Sequence, residues 1–196
     1  MHRRMRSTKL GSITGTSQTG AAVLTTHAFI YQASAARQMS DLGVLGGFSS
    51  YGMAINGYNH VAGYSTINAP NPNSKLVHAF FHDGRSMIDL GSLGKPGTDT
   101  DVSVALGVNK LDQVVGYSYL PAAPGIGPQQ VAFLWRRGPA ASGEMINSNK
   151  LLRATDRHYL LLSATAINDN GQIVANASDT LNGGGPRAVL LTPMGP

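Results

Sequence analysis

The sequence predicts an all-β chain, a repeat array of four-stranded units about fifty residues long. Three observations predict it. Short apolar motifs return along the chain in one fixed order. Each motif is rich in Val, Ile, Phe and Tyr and is bounded by Gly, Asn, Asp or Pro, as short strands are. The chain also holds 24 Gly and 10 Pro against only 13% charged residues, a balance that suits many turns and few helices. No run keeps a 3.6-residue period long enough to make a helix.

The first module is His27-Ala28-Phe29-Ile30-Tyr31. It returns as His78-Ala79-Phe80-Phe81-His82, as Val131-Ala132-Phe133-Leu134-Trp135, and weakly as Arg187-Ala188-Val189-Leu190-Leu191. The second, Met39-Ser40-Asp41-Leu42-Gly43, matches Met87-Ile88-Asp89-Leu90-Gly91, with Met145-Ile146-Asn147 as a degraded copy. The third reads Ala54-Ile55-Asn56, Gly107-Val108-Asn109 and Ala166-Ile167-Asn168. The fourth reads Val61-Ala62-Gly63-Tyr64-Ser65, Val114-Val115-Gly116-Tyr117-Ser118 and Ile173-Val174-Ala175-Asn176. An orphan copy of it, Ile13-Thr14-Gly15-Thr16-Ser17, precedes the first unit.

Between the third and fourth modules stand Asn56-Gly57-Tyr58-Asn59, Asn109-Lys110-Leu111-Asp112 and Asn168-Asp169-Asn170-Gly171. Such residues tolerate the positive φ of a tight hairpin, so these two modules should pair antiparallel. The Pro-rich stretches Asn68 to Ser74 and Pro121 to Gln129 read as exposed loops joining one unit to the next. Counted this way, a basic N-terminal tail at 1–10 precedes a repeat domain at 11–192. That domain holds units at 27–65, 78–118 and 131–178, with single end strands at 11–17 and 187–192. Four strands per unit is the arithmetic of a β-propeller blade, with a β-solenoid coil as the runner-up. Three units and two end strands fall short of a ring, so the expected propeller is open or incomplete. It would form an arc, close by self-association through open edge strands, or belong to a larger chain.

Charge and composition exclude several classes. Arg3, Arg4, Arg6 and Lys9 carry four of the five net positive charges, so the rest of the chain is nearly neutral and offers nucleic acid no basic face. The same tail resembles the start of an export signal, but Gly11 to Gly20 is polar where an apolar stretch should follow. No run approaches the roughly eighteen apolar residues that would span a bilayer as a helix. The chain has no cysteine, which removes disulfides, thiolate metal sites and a cysteine nucleophile.

The two His-Ala-Phe copies, the Met-x-Asp-Leu-Gly pair and the stretch Ala166 to Gln172 resemble the HAF-repeat family, bacterial extracellular repeat proteins of unknown function. The resemblance covers about residues 11 to 192. It implies a secreted or envelope-associated bacterial protein and brings no activity, cofactor or catalytic residue with it. Members are commonly longer and begin with an export signal, whereas this chain opens mid-unit directly after a basic stub, which suggests a truncated gene product or a fragment. The third copy departs from the pattern, with Val131 for the histidine and Asn147 for the aspartate. Such drift fits a structural motif better than a chemical one.

Candidate sites yield no catalytic, cofactor-binding or metal residues. His78 and His82 look like a metal pair, but on a strand they lie roughly 13 Å apart and would need partners such as His27 or His60. Asp99-Thr100-Asp101 could contact calcium but lacks the further oxygen ligands, so it reads as a solvated turn. Asp41 and Asp89 recur once per unit, too far apart for a glycosidase pair, and read as turn caps. Glu144 is the only glutamate. Gly15 to Gly20 lacks the Lys-Ser/Thr of a phosphate loop, and no Gly-x-Ser-x-Gly elbow occurs. Alternation places 28/30, 79/81 and 132/134 on one strand face, and the aromatics 29, 31, 80, 133 and 135 on the other. The expectation is a non-catalytic structural or interaction module with a protein or glycan partner. The alternative is a carbohydrate- or small-ligand-binding propeller using exposed Tyr or Trp.

Overall fold

A computed structural model describes residues 6–8, 11–19, 25–33, 38–68, 76–138, 143–181 and 183–194. The chain is all-β, broken only by 3-10 turns at Ser148–Leu151 and Ala154–Asp156 among the described residues. The strands form four successive antiparallel meanders. The first holds β1 (Arg6–Ser7), β2 (Ile13–Thr19), β3 (Thr25–Gln32) and β4 (Gln38–Asp41). The second holds β5 (Gly46–Ile55), β6 (Val61–Ile67), β7 (Val77–His82) and β8 (Met87–Asp89). The third holds β9 (Ser103–Val108), β10 (Val114–Leu120), β11 (Gln129–Arg137) and β12 (Gly143–Asn147). The fourth holds β13 (Tyr159–Ile167), β14 (Ile173–Asp179) and β15 (Gly185–Leu191). One parallel bridge, Thr26 with Ser49, joins the first two meanders into an eight-stranded sheet.

The predicted hairpins form. β5–β6, β9–β10 and β13–β14 are antiparallel, and their turns carry positive φ at equivalent positions: Asn59 (65°), Asp112 (56°) and Gly171 (76°). The phase of the repeat differs from the sequence units. Backbone pairing joins the fourth module to the next first module, as Val61–Thr66 pairs with His82–Val77. Unit 27–65 therefore straddles two meanders. Both end strands are likewise members of meanders, since β2 pairs with β1 and β3, and β15 with β14. The predicted basic tail enters the fold by residue 6, where Arg6 pairs with Thr14 and Ser7 with Ile13. Pro121 to Gln129 is exposed as expected, inside the third meander, while 69–75 lies outside the described residues.

Three apolar layers fill the spaces between meanders. Ala28, Ile30 and Leu42 meet Val61 and Phe80. Ala62, Ala79 and Phe81 meet Val114, Phe133 and Trp135. Val115 and Ala132 meet Leu161, Ala164 and Ala175. The inner meanders are thus covered on both faces, so Phe80 and Phe81 are both fully buried although they point opposite ways. Each such phenyl ring contributes about 1.5–3 kcal/mol by leaving water. No helix is long and apolar enough to cross a membrane among the described residues.

One backbone irregularity recurs in phase with the repeat. Pairing skips Met53, Leu106 and Thr165, each three residues before the turn asparagine. These are β-bulges, which bend the first strand of the second, third and fourth meanders. Gly63 and Gly116 sit beneath the bend. A Cβ there would overlap the Tyr51 or Val104 carbonyl oxygen.

Candidate functional site

The first two modules fold into a single knot. His27 Nδ1 lies 2.8 and 3.0 Å from the Asp41 carboxylate oxygens, and His78 Nδ1 lies 2.9 and 3.0 Å from those of Asp89. The same carboxylates accept the backbone N–H of Gly43 at 2.8 Å and of Gly91 at 2.7 Å. These are the turn caps expected of Asp41 and Asp89, and the positive φ of both glycines (76° and 67°) closes the turn. The next meander supplies the last piece. The Ala28 N–H donates to Ser50 Oγ, whose hydroxyl donates to the Gly43 carbonyl. The Ala79 N–H donates to Ser103 Oγ, whose hydroxyl donates to the Gly91 carbonyl.

This geometry explains the third copy. The motif histidine and aspartate are each other's partners, so losing one removes the reason for the other. Val131 is 1% exposed, and Asn147 still caps its turn by accepting the Asn149 N–H at 3.0 Å. The Asn149 side chain then holds the next meander, accepting from Leu161 N–H and donating to Leu161 carbonyl.

His78 has a second partner. Its Nε2 lies 2.9 Å from Asp101 Oδ1, and Asp101 also accepts from Ser92 Oγ at 2.6 Å and Gly97 N–H at 2.8 Å. Both ring nitrogens therefore donate to carboxylates, which requires imidazolium. Burial opposes the charged ring, but the hydrogen bonds and charges of Asp89 and Asp101 outweigh it and raise His78 above the ordinary imidazole value. Burial likewise opposes ionised Asp101, but Ser92, the Gly97 N–H and His78 hold it below the usual carboxylate range. The reading of 99–101 as a solvated turn is corrected accordingly. Asp99 is exposed, but Thr100 and Asp101 are buried at 7% and 6% exposure. A buried cation in the preceding meander needs Asp101 as a counter-ion.

The other histidines go elsewhere. Burial lowers His82, whose Nδ1 accepts the Gly84 N–H at 3.1 Å, so its proton sits on Nε2. His60 Nδ1 lies 2.7 Å from Asp112, across the seam between second and third meanders. His78 and His82 thus serve different partners, and no group of three ligating side chains able to hold a metal ion forms among the described residues. Trp135 is 2% exposed and stacks on nothing outside the core.

A second device links the hairpin turns. The side-chain oxygens of Asn56, Asn109 and Asn168 each accept two N–H groups of their own turn. Their Nδ2 groups run forward. Asn56 donates to the Asn109 carbonyl at 2.9 Å, and Asn109 to the Asn168 carbonyl at 3.0 Å. Sequence reasoning took these asparagines as turn formers only. Their recurrence at the same turn position, unrelieved by Asp or Gly, is the signal that a second role was present. Likewise, the joint change of His to Val and Asp to Asn signalled a pair.

The first and the last meander each carry an apolar face that is at least partly exposed. On the last meander Val174 is 44% exposed and Leu190 62%. On the first, Met39 is 57% exposed beside half-buried Tyr31, Phe29 and Ile13. No family model, curated protein or solved structure matches this chain.

Proposed function

We propose that this chain is a non-catalytic structural and interaction module, an open propeller-like array whose work is done by its shape and its end faces. One observation carries the reading. The side chains that recur with the repeat and could do chemistry are spent on the fold itself: His27, His78, Asp41, Asp89 and the seam serines each tie strands or meanders together. A secreted or envelope location in a bacterium belongs to the same proposal and rests on the resemblance to HAF-repeat proteins.

Thermal unfolding of His78→Val tests it. Replacing a structural His78 costs about 2 kcal/mol, because Asp101 and the half-exposed Asp89 lose a charged hydrogen-bond donor. That lowers Tm by about 4–8 °C in a chain of this size. Residues kept for binding or catalysis behave otherwise, since replacing them leaves stability unchanged or improves it. An unchanged or higher Tm would overturn the structural reading.

A further inference from the structure

We propose that the outer face of the last meander docks on the outer face of the first meander in a second copy of this chain, head to tail. The contact would repeat the seams already present inside the molecule. The proposal rests on the interaction-module reading and names its partner.

Equivalent strand positions make the case. Along the forward face of the second meander, Ala54 pairs with Ala62 and Ala62 with Phe81, all buried against the third. In the third meander the row is Gly107, Val115 and Leu134, which packs on the fourth. In the fourth it is Ala166, Val174 and Leu190, the same small–Val–Leu chemistry left exposed.

The receiving face matches as closely. The third meander receives the second with Val114, Phe133, Trp135 and Met145. The first meander carries Ile13, Phe29, Tyr31 and Met39 at those positions, joined in the same register: Ile13 with Tyr31, and Tyr31 with Met39. Phe81 and Trp135 meet across the internal seam with ring centroids 5.8 Å apart. Their counterparts across the proposed contact are Leu190 of one copy and Tyr31 of the next.

The asparagine ladder points the same way. Asn56 and Asn109 reach forward to the following turn, and Asn109 Nδ2 also donates to its own Gln113 Oε1 at 2.7 Å. Asn168 Nδ2 keeps the equivalent bond to its own Gln172 Oε1 at 2.8 Å, with no forward acceptor among the described residues. The first meander begins with a turn closed by the same two backbone bonds, Thr8 N–H to Ser12 carbonyl and Gly11 N–H to Thr8 carbonyl. A docked copy would place the Thr8 carbonyl where Asn168 needs an acceptor. The contact joins two different faces, so it is heterologous and builds rings or filaments rather than a closed pair.

Light scattering after size exclusion, run on the whole chain from low to high micromolar, should show mass rising with concentration. Val174→Asp with Leu190→Asp blocks one face, and Tyr31→Asp with Met39→Asp blocks the other. Each double variant should be monomeric, weakened at least tenfold in self-association. Mixed together, they should form a dimer and go no further, because one good face of each remains. A wild-type chain that stays monomeric overturns the proposal, and so does a mixture that does not recombine. If a blocked variant fails to fold, the cysteine-free chain supplies a second route. Leu190→Cys mixed in equal amounts with Tyr31→Cys should oxidise to the mixed disulfide well beyond the 1:2:1 ratio of random pairing, and a 1:2:1 ratio would count against it. Failure here with His78→Val still destabilised would leave the structural module standing and remove only its partner.

Discussion

In the second meander His78 stands between Asp89 and Asp101, whereas the third places Val131 on the equivalent strand position and Asn147 opposite. Both meanders keep the same register, with Phe80 paired to Asp89 and Phe133 to Asn147. Both also keep the capped turn. One holds its neighbour through an imidazolium, two carboxylates and Ser103, the other through the amide of Asn149. The difference teaches that the recurring fold needs the capped turn and the forward hydrogen bond, and that the charge is one of two ways to support them. Buried ion pairs are commonly replaceable as a set and costly to break singly.

The sharpest way to break the comparison is to convert the second meander partway. His78→Val alone leaves Asp89 and Asp101 without a cation, at the cost of about 2 kcal/mol given above. Converting the whole set, His78→Val with Asp89→Asn and Asp101→Asn, should recover at least half of that loss. Urea unfolding at neutral pH measures both. A triple variant as unstable as the single one would mean that the charges themselves, rather than their pairing, hold this meander.

The same set should give the second meander a pH dependence that the third lacks. The folded pKa of His78 is raised, so its contribution is complete below the unfolded imidazole value of about 6.5 and is lost as pH rises through the folded value. The folded pKa of Asp101 is lowered, so its contribution is present above the unfolded value of about 3.9 and is lost as pH falls through the folded one. The Tm gap between wild type and the triple variant should therefore peak between about pH 4 and 6.5 and shrink on either side. A gap that stays constant from pH 4 to 9 would sink the clip as described.

Much of this architecture was readable from residues. The hairpins at Asn56, Asn109 and Asn168 follow from turn chemistry, and the strands follow from β-rich motifs between breakers. The phase of the meanders did not follow. The most recognisable motif, His-Ala-Phe, sits third in each meander, and nothing local to a strand says which neighbour it pairs with. The bulges at Met53, Leu106 and Thr165 were hidden for a similar reason, since a skipped residue leaves no mark on composition. Asp101 was misread because its exposure is set by His78, 23 residues earlier in the chain. A loop that reads as polar is buried when a cation in the preceding meander demands it. The end faces were legible only as a shortage of units. Their chemistry emerged once Leu190 could be set beside Phe81, and Tyr31 beside Trp135.

The smallest expected effect comes from running the exchange backwards. Val131→His places an imidazole in a 1% exposed site whose turn offers an amide instead of a carboxylate. It should cost about 1–2 kcal/mol through an unpaired polar group. Adding Asn147→Asp rebuilds the first meander's version of the clip, in which His27 is held by Asp41 without any second carboxylate. The double-mutant cycle should show a favourable coupling of about 1 kcal/mol, larger at pH 5.5 than at pH 8 because a charged ring holds the carboxylate more strongly than the neutral one. Among the described residues no carboxylate faces Val131 as Asp101 faces His78, and the chain after Asn147 runs instead into the 3-10 turn Ser148–Leu151. The coupling should therefore stay below the loss seen for His78→Val. Zero coupling at both pH values would mean that strand register alone does not bring these two positions together, and that the turn after Asn147 holds them apart.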